Sequence, residues 1–208
     1  LSPPGVEDLT VRWVRLYADK FGIDWLGFLA RFFKVSLAAP GSITRLHREN
    51  FGAHTWVSQT EGRRLFFLFS PKEFEKLYVS NGGRVDCREG YVAAASPVDI
   101  FSPNPKRHSR FAEASAHSVV LESGETLIVP CGWWWYSVAL EPSASVTQAF
   151  FNTSNHRFFT QALEDLMLQY GELASDNQAS AQEVLAELQE EISEDIEDWA
   201  LVVTEGGS

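Results

Sequence analysis

Residues Gly41–Phe69 read GSITRLHRENFGAHTWVSQTEGRRLFFLF, and a second run, Leu127–Asn152, reads LIVPCGWWWYSVALEPSASVTQAFFN. In the first run His47 and Glu49 stand two residues apart. Residues i and i+2 of a strand share a face, so an imidazole and a carboxylate point the same way. That is two-thirds of the 2-His-1-carboxylate set that holds non-haem Fe(II) with open positions for co-substrate and oxygen. An isolated H-x-E recurs by accident, so its surroundings decide. Strands are expected at 43–47, 54–60 and 64–69, and Glu61-Gly62-Arg63 reads as a hairpin turn. Further on, Ser118–Leu121 and Thr126–Val129 form a hairpin around Ser123-Gly124, followed by strands at Trp133–Ala139 and Ser143–Asn152.

The first run supplies Gly41, Thr44, His47, Glu49, Gly52, Trp56, Gly62 and Arg64. The second supplies Pro130, Gly132, Trp133 and Trp134, then Ser145, Val146, Thr147, Gln148 and Phe150. In this order and spacing the residues resemble the JmjC-domain 2-oxoglutarate oxygenases, a cupin-fold family. Within it they look most like the lysyl-hydroxylase branch once called the phosphatidylserine receptor. The resemblance covers residues 30–155. It implies a mainly β fold, a double-stranded β-helix (jelly-roll, cupin/JmjC) with flanking N-terminal helices and two C-terminal helices. It also implies iron on His47 and Glu49, and 2-oxoglutarate on Thr44, Arg64 and Thr147.

The departures fall in one pocket. Where the family carries its second iron-binding histidine this chain has Trp135, whose indole N–H donates only and offers a metal no lone pair. Arg64 replaces the lysine that pairs with the distal carboxylate; it can still clamp a carboxylate, but it is longer and forked. Polar family positions fall at Val57 and Ala149, and the acidic ligand is Glu rather than Asp. Tyr136 is adjacent to the missing ligand, but a shift of one residue along a strand turns the side chain to the opposite face. His54, His108, His117 and His156 lie where the family uses no metal ligand. Trp135 therefore reads as a plug in a vestigial metal site, with an aromatic ligand platform as the alternative.

Around this centre, 1–31 reads as an N-terminal helical segment packed on the barrel, 32–155 as the jelly-roll and 156–208 as acidic C-terminal helices. Val6, Leu9, Trp13, Leu16 and Tyr17 recur at helical spacing, and Asp24 can cap a second short helix through Leu29. A strand is expected from Arg31 to Ala39, and a short helix from Pro71 to Val79. Residues 80–117 lack periodicity and hold a small basic cluster, Lys106, Arg107, His108 and Arg110. One helical stripe is Phe158, Phe159, Ala162, Leu163, Leu166 and Tyr170; another is Leu185, Leu188, Ile192, Ile196 and Trp199. The second has the spacing of a bundle seam, so a protein partner is expected there, as a homodimer or a larger complex.

Charge sharpens this division. None of the 17 basic residues lies beyond Arg157, but 13 of the 28 acidic ones do, so the tail is −13 and the rest of the chain +2. An acidic tail argues against nucleic acid and for a basic partner. Cys87 and Cys131 are the two cysteines and give no disulfide framework; an intracellular setting is expected, the compartment left open. Leu1 rather than Met opens the chain, as expected of a trimmed chain or of one that has lost a targeting segment. No apolar run reaches the ~20 residues of a membrane-spanning helix.

Three functions remain open. The first is a JmjC-like pseudo-oxygenase kept as a binding or structural subunit, with no cofactor. The second is an active 2-oxoglutarate- and Fe(II)-dependent protein hydroxylase or demethylase. The third is a metal-free organic-acid sensor built on Arg64.

Overall fold

The computed structural model describes residues 7–21, 24–79, 94–171, 183 and 186–197. Val6, Cys87, Leu185 and Trp199, and the side chains of Leu163, Leu166 and Tyr170, lie outside the described residues. The chain divides into two compact units, Phe32–Phe150 and, separately, Leu1–Arg31 with Phe151–Ser208.

The first unit is the β structure. Its strands are β1 (Phe33–Ala38), β2 (Ile43–Arg48), β3 (His54–Glu61), β4 (Arg64–Phe69), β5 (Ala94–Ala95), β6 (Ala116–Leu121), β7 (Thr126–Val129), β8 (Trp134–Ala139) and β9 (Ser143–Phe150). They form two sheets, β1-β9-β3-β7 and β5-β2-β8-β4-β6, with antiparallel pairing throughout. From β1 to β4, and again from β6 to β9, each strand lies in the sheet opposite its predecessor's. This is the jelly-roll alternation the sequence motifs implied.

That alternation corrects the two expected hairpins. The Glu61-Gly62-Arg63 turn joins β3, which pairs with β7 and β9, to β4, which pairs with β6 and β8. The Ser123-Gly124 turn likewise joins β6 to β7 across the two sheets. Turn chemistry fixes where the chain reverses; which neighbour takes the backbone hydrogen bonds is settled by burying both inner faces against each other. Gly62 shows how tightly this end closes. It has φ +71, and a Cβ there would sit 2.2 Å from the Pro142 carbonyl oxygen. The helix expected over Pro71–Val79 is a 3-10 segment over Pro71–Lys76, and the last strand ends at Phe150 rather than Asn152.

Alternation along β8 separates two cores. Trp135 joins Val57, Phe66, Leu121 and Val129 in the barrel interior. Trp134 and Tyr136 point the other way and join Leu46, Phe69, Leu77 and Ala94. Full burial of an aromatic side chain such as Phe66 contributes roughly 2–3 kcal/mol, so the interior is held chiefly by these apolar contacts.

The second unit is helical. Its elements are α1 (Thr10–Phe21), α2 (Trp25–Leu29), α3 (His156–Gly171) and a helical run over 186–197. Asp8 Oδ1 accepts from the Thr10 N–H at 2.9 Å, and Asp24 Oδ1 from the Leu26 N–H at 3.2 Å, so both N-terminal helices are capped. Trp13 is fully buried, with its ring 5.8 Å from Phe159 and 6.5 Å from Phe151. Leu188 and Ile192, from the expected seam, are buried. Lys20 Nζ lies 2.9 Å from both Glu187 and Glu191, and Arg12 pairs with Asp195, which ties the 186–197 run to α1. Among the described residues no helix is long and apolar enough to cross a membrane.

Candidate functional site

Strand β2 presents the acid–imidazole pair through an irregularity. Thr44 lies opposite Ser137 and His47 opposite Trp135, three residues on one strand against two on the other. The extra residue is a bulge, and it turns both Thr44 and His47 toward the barrel interior, which strict alternation would forbid. Beyond the strand end Glu49 keeps an extended backbone (φ −63, ψ 148), so its carboxylate stays on the side of His47.

The His47 Nδ1–H donates to the Arg45 carbonyl at 2.8 Å, since a carbonyl can only accept. That turns Nε2 toward Glu49 Oε1, 3.4 Å away. Oε1 is otherwise buried without a hydrogen bond. Burial pushes the Glu49 carboxyl pKa up, but its contact with His47, and the Lys34 charge further off, outweigh it and hold the carboxyl below its ordinary value. Lys34 enters from β1, where it lies opposite Thr147.

Trp135 fills the remaining side. Its ring centroid lies 4.2 Å from that of His47 and 6.0 Å from that of Phe66. The side chain is 5 % exposed, and its Nε1 is buried without an acceptor. Tyr136 sits on the opposite face in the other core, so it does not substitute for the missing ligand. Among the described residues no group of three His, Cys, Asp or Glu side chains is placed to hold a metal. Two ligands and an indole do not fit a facial iron triad.

Deeper in the barrel Arg64 opens β4 opposite Leu121 and Ala139. It is 5 % exposed, and Nη1 donates to Ser145 Oγ at 3.3 Å. Its Nε is buried without an acceptor, and burial lowers its pKa from the ordinary value. Thr147 is the next inward residue after Ser145 on β9, opposite Val57. Val57 and Ala149, where the family pattern is polar, are buried inward residues, so these two side chains offer a ligand no hydrogen bond.

His47, Glu49 and Trp135 thus meet at one end, while Arg64 on β4 and Thr147 on β9 belong to opposite sheets. Lys34 was not singled out from the sequence, and Ser145 only as a motif residue rather than as a partner of Arg64. Ser145 was legible as the residue two before Thr147 on the same strand face. Lys34 was not, because a lone Lys on an edge strand carries no local signal.

A family profile for cupin-like domains matches residues 25–157. The chain is 31% identical over 139 residues to HSPB1-associated protein 1 of Homo sapiens, covering 62% of this chain and 27% of that protein. It is 31% identical over 107 residues to lysine-specific demethylase 8 of Xenopus tropicalis, covering 51% of this chain and 22% of that one. It is 26% identical over 157 residues to 2-oxoglutarate and iron-dependent oxygenase JMJD4 of Danio rerio, covering 74% and 33%. The matched stretch is therefore a third or less of each of these relatives.

Proposed function

The chain belongs to the cupin-like family, as a member of JmjC type, and from that premise we propose that it is a non-catalytic JmjC-like domain retained for binding. The observation that carries this reading is Trp135 against His47, at 4.2 Å between ring centroids. An indole cannot donate a lone pair, and its bulk lies where a third ligand and a metal would need room. His47 Nε2 and Glu49 Oε1 still converge, 3.4 Å apart, but they are two ligands where the triad needs three.

Binding through protein surfaces agrees with the rest of the chain. The helical unit carries the acidic excess, and Glu187 is 61 % exposed even while paired with Lys20. Leu188 and Ile192 are already buried, so a protein partner would meet the acidic surface of the 186–197 run rather than the apolar seam. A basic partner suits such a face.

The direct test is turnover. The full chain, with Fe(II), ascorbate and 2-oxoglutarate, is expected to release no succinate above the buffer control. Succinate formation abolished by His47→Ala would overturn the reading and restore the oxygenase.

A further inference from the structure

The basic cluster at 106–110 has no part in the site described above. It ends a run outside the strands, 101–110, in which every residue but His108 is exposed. The chain turns there on Asn104, whose Oδ1 accepts from the Lys106 and Arg107 N–H groups at 3.0 and 3.2 Å. Lys106 and Arg107 have no acidic partner among the described residues, whereas Arg110 Nη1 lies 3.3 Å from Glu75 Oε2.

One hydroxyl stands among these cations. Ser109 is exposed and opens a 3-10 segment, Ser109–Glu113, with Lys106 three residues before it and Arg107 two before it. Its Oγ meets the Tyr78 hydroxyl at 3.4 Å, a long contact, and the same Tyr78 oxygen accepts from the Arg110 N–H at 2.9 Å. The Tyr78 ring lies 5.0 Å from that of His108. Apart from the exposed Arg110–Glu75 pair, residues 104–110 are thus held by Tyr78 and by bonds among themselves, with no strand pairing. Segments held in this way are the first to open locally.

Two cations just before an exposed serine are the charge pattern that a basophilic kinase, with an acidic groove beside its catalytic base, selects. We propose that Ser109 is a phosphorylation site for a kinase of this class. The bond from Ser109 Oγ to the γ-phosphorus of ATP forms as the bond from that phosphorus to the bridging oxygen breaks. ADP leaves, and the hydroxyl proton passes to the kinase's base. The phosphate, at about −1.5 to −2, offsets much of the charge of Lys106, Arg107 and Arg110, and it competes with Glu75 for the Arg110 guanidinium. The loop therefore loses its attraction for an acidic partner on modification. The site lies outside the barrel strands and does not depend on what the barrel binds.

The test incubates the full chain with ATP, magnesium and the catalytic subunit of cyclic-AMP-dependent protein kinase, and maps phosphate by tandem mass spectrometry. Phosphate is expected on Ser109, and that position is empty in Ser109→Ala. Arg107→Ala should slow incorporation roughly tenfold or more, as loss of a charge-assisted contact would. Tyr78→Phe should speed it roughly threefold or more, because it removes both bonds that hold Ser109 and Arg110 to the phenol. A urea midpoint equal to the parent's ties that gain to local opening. Phosphate absent from Ser109, an equal rate in Arg107→Ala, or an equal or slower one in Tyr78→Phe would overturn the inference, and the non-catalytic reading of the barrel would stand in each case.

Discussion

Replacing Trp135 with Ala removes an indole that is 5 % exposed and wedged among Val57, Phe66, Leu121 and Val129. Those neighbours sit on β3, β4, β6 and β7, strands of both sheets, so the walls have little freedom to collapse into the void. Such a deletion costs about 3–5 kcal/mol when the cavity stays open. The unpaired Nε1 works the other way, because removing an unsatisfied buried donor returns about 1 kcal/mol. The expected net loss is therefore about 2–4 kcal/mol, or a fall in Tm of roughly 4–16 °C for a chain of this size. Trp135→Phe keeps most of the volume and no orphan donor, and should lose about 1 kcal/mol or less. Urea unfolding followed by far-UV circular dichroism measures both, and hydrogen exchange of the β8 amides ties the change to the barrel. A loss below about 1 kcal/mol for Trp135→Ala would refute the plug and favour an indole kept for contact with a ligand.

Gly62→Ala places a Cβ 2.2 Å from the Pro142 carbonyl at φ +71, and should destabilise the barrel by about 2–4 kcal/mol in the same urea assay. Glu49 has a folded-state pKa below its ordinary 4.5, so its contribution is present above pH 4.5 and is lost as pH falls through the folded value. Glu49→Gln should flatten the stability profile below about pH 4.5 and leave it parallel to the parent above, as read from urea midpoints at a series of pH values. Val35 and Leu37 are 65 % and 82 % exposed on β1, an edge strand; Val35→Lys should lower light scattering on concentration while changing stability by less than about 0.5 kcal/mol.

All the strands but β5, which lies in the stretch 80–117 read as lacking periodicity, were legible because most are short apolar runs between Gly, Pro and Ser breaks, and their bounds fall within a residue or two of those expected. Their partners were not legible from local pattern. Glu61-Gly62-Arg63 reads as a hairpin by residue type, and the choice between β4 and β9 as the neighbour of β3 depends on contacts remote in sequence. The H-x-E pair and Trp135 could be read as one site only through the family spacing. The bulge that lets Thr44 and His47 share a face has no residue signature in ITRLHR. The C-terminal seam carried a bundle period, but the same period serves a helix packed against its own chain, and Leu188 and Ile192 are buried. Arg64 was legible as a carboxylate clamp; that it lies buried beside only neutral partners needed the structure.

The measurement that bears most directly on the closed metal site is an anaerobic titration with Fe(II) and 2-oxoglutarate, following the visible charge-transfer band of the chelate. It is run on the natural chain and on Trp135→His. No band is expected in the natural chain, and a band in the histidine variant, where an imidazole would face His47 and Glu49 in place of the indole. A band in the natural chain would mean that a third ligand completes the site despite Trp135, and would contradict the account.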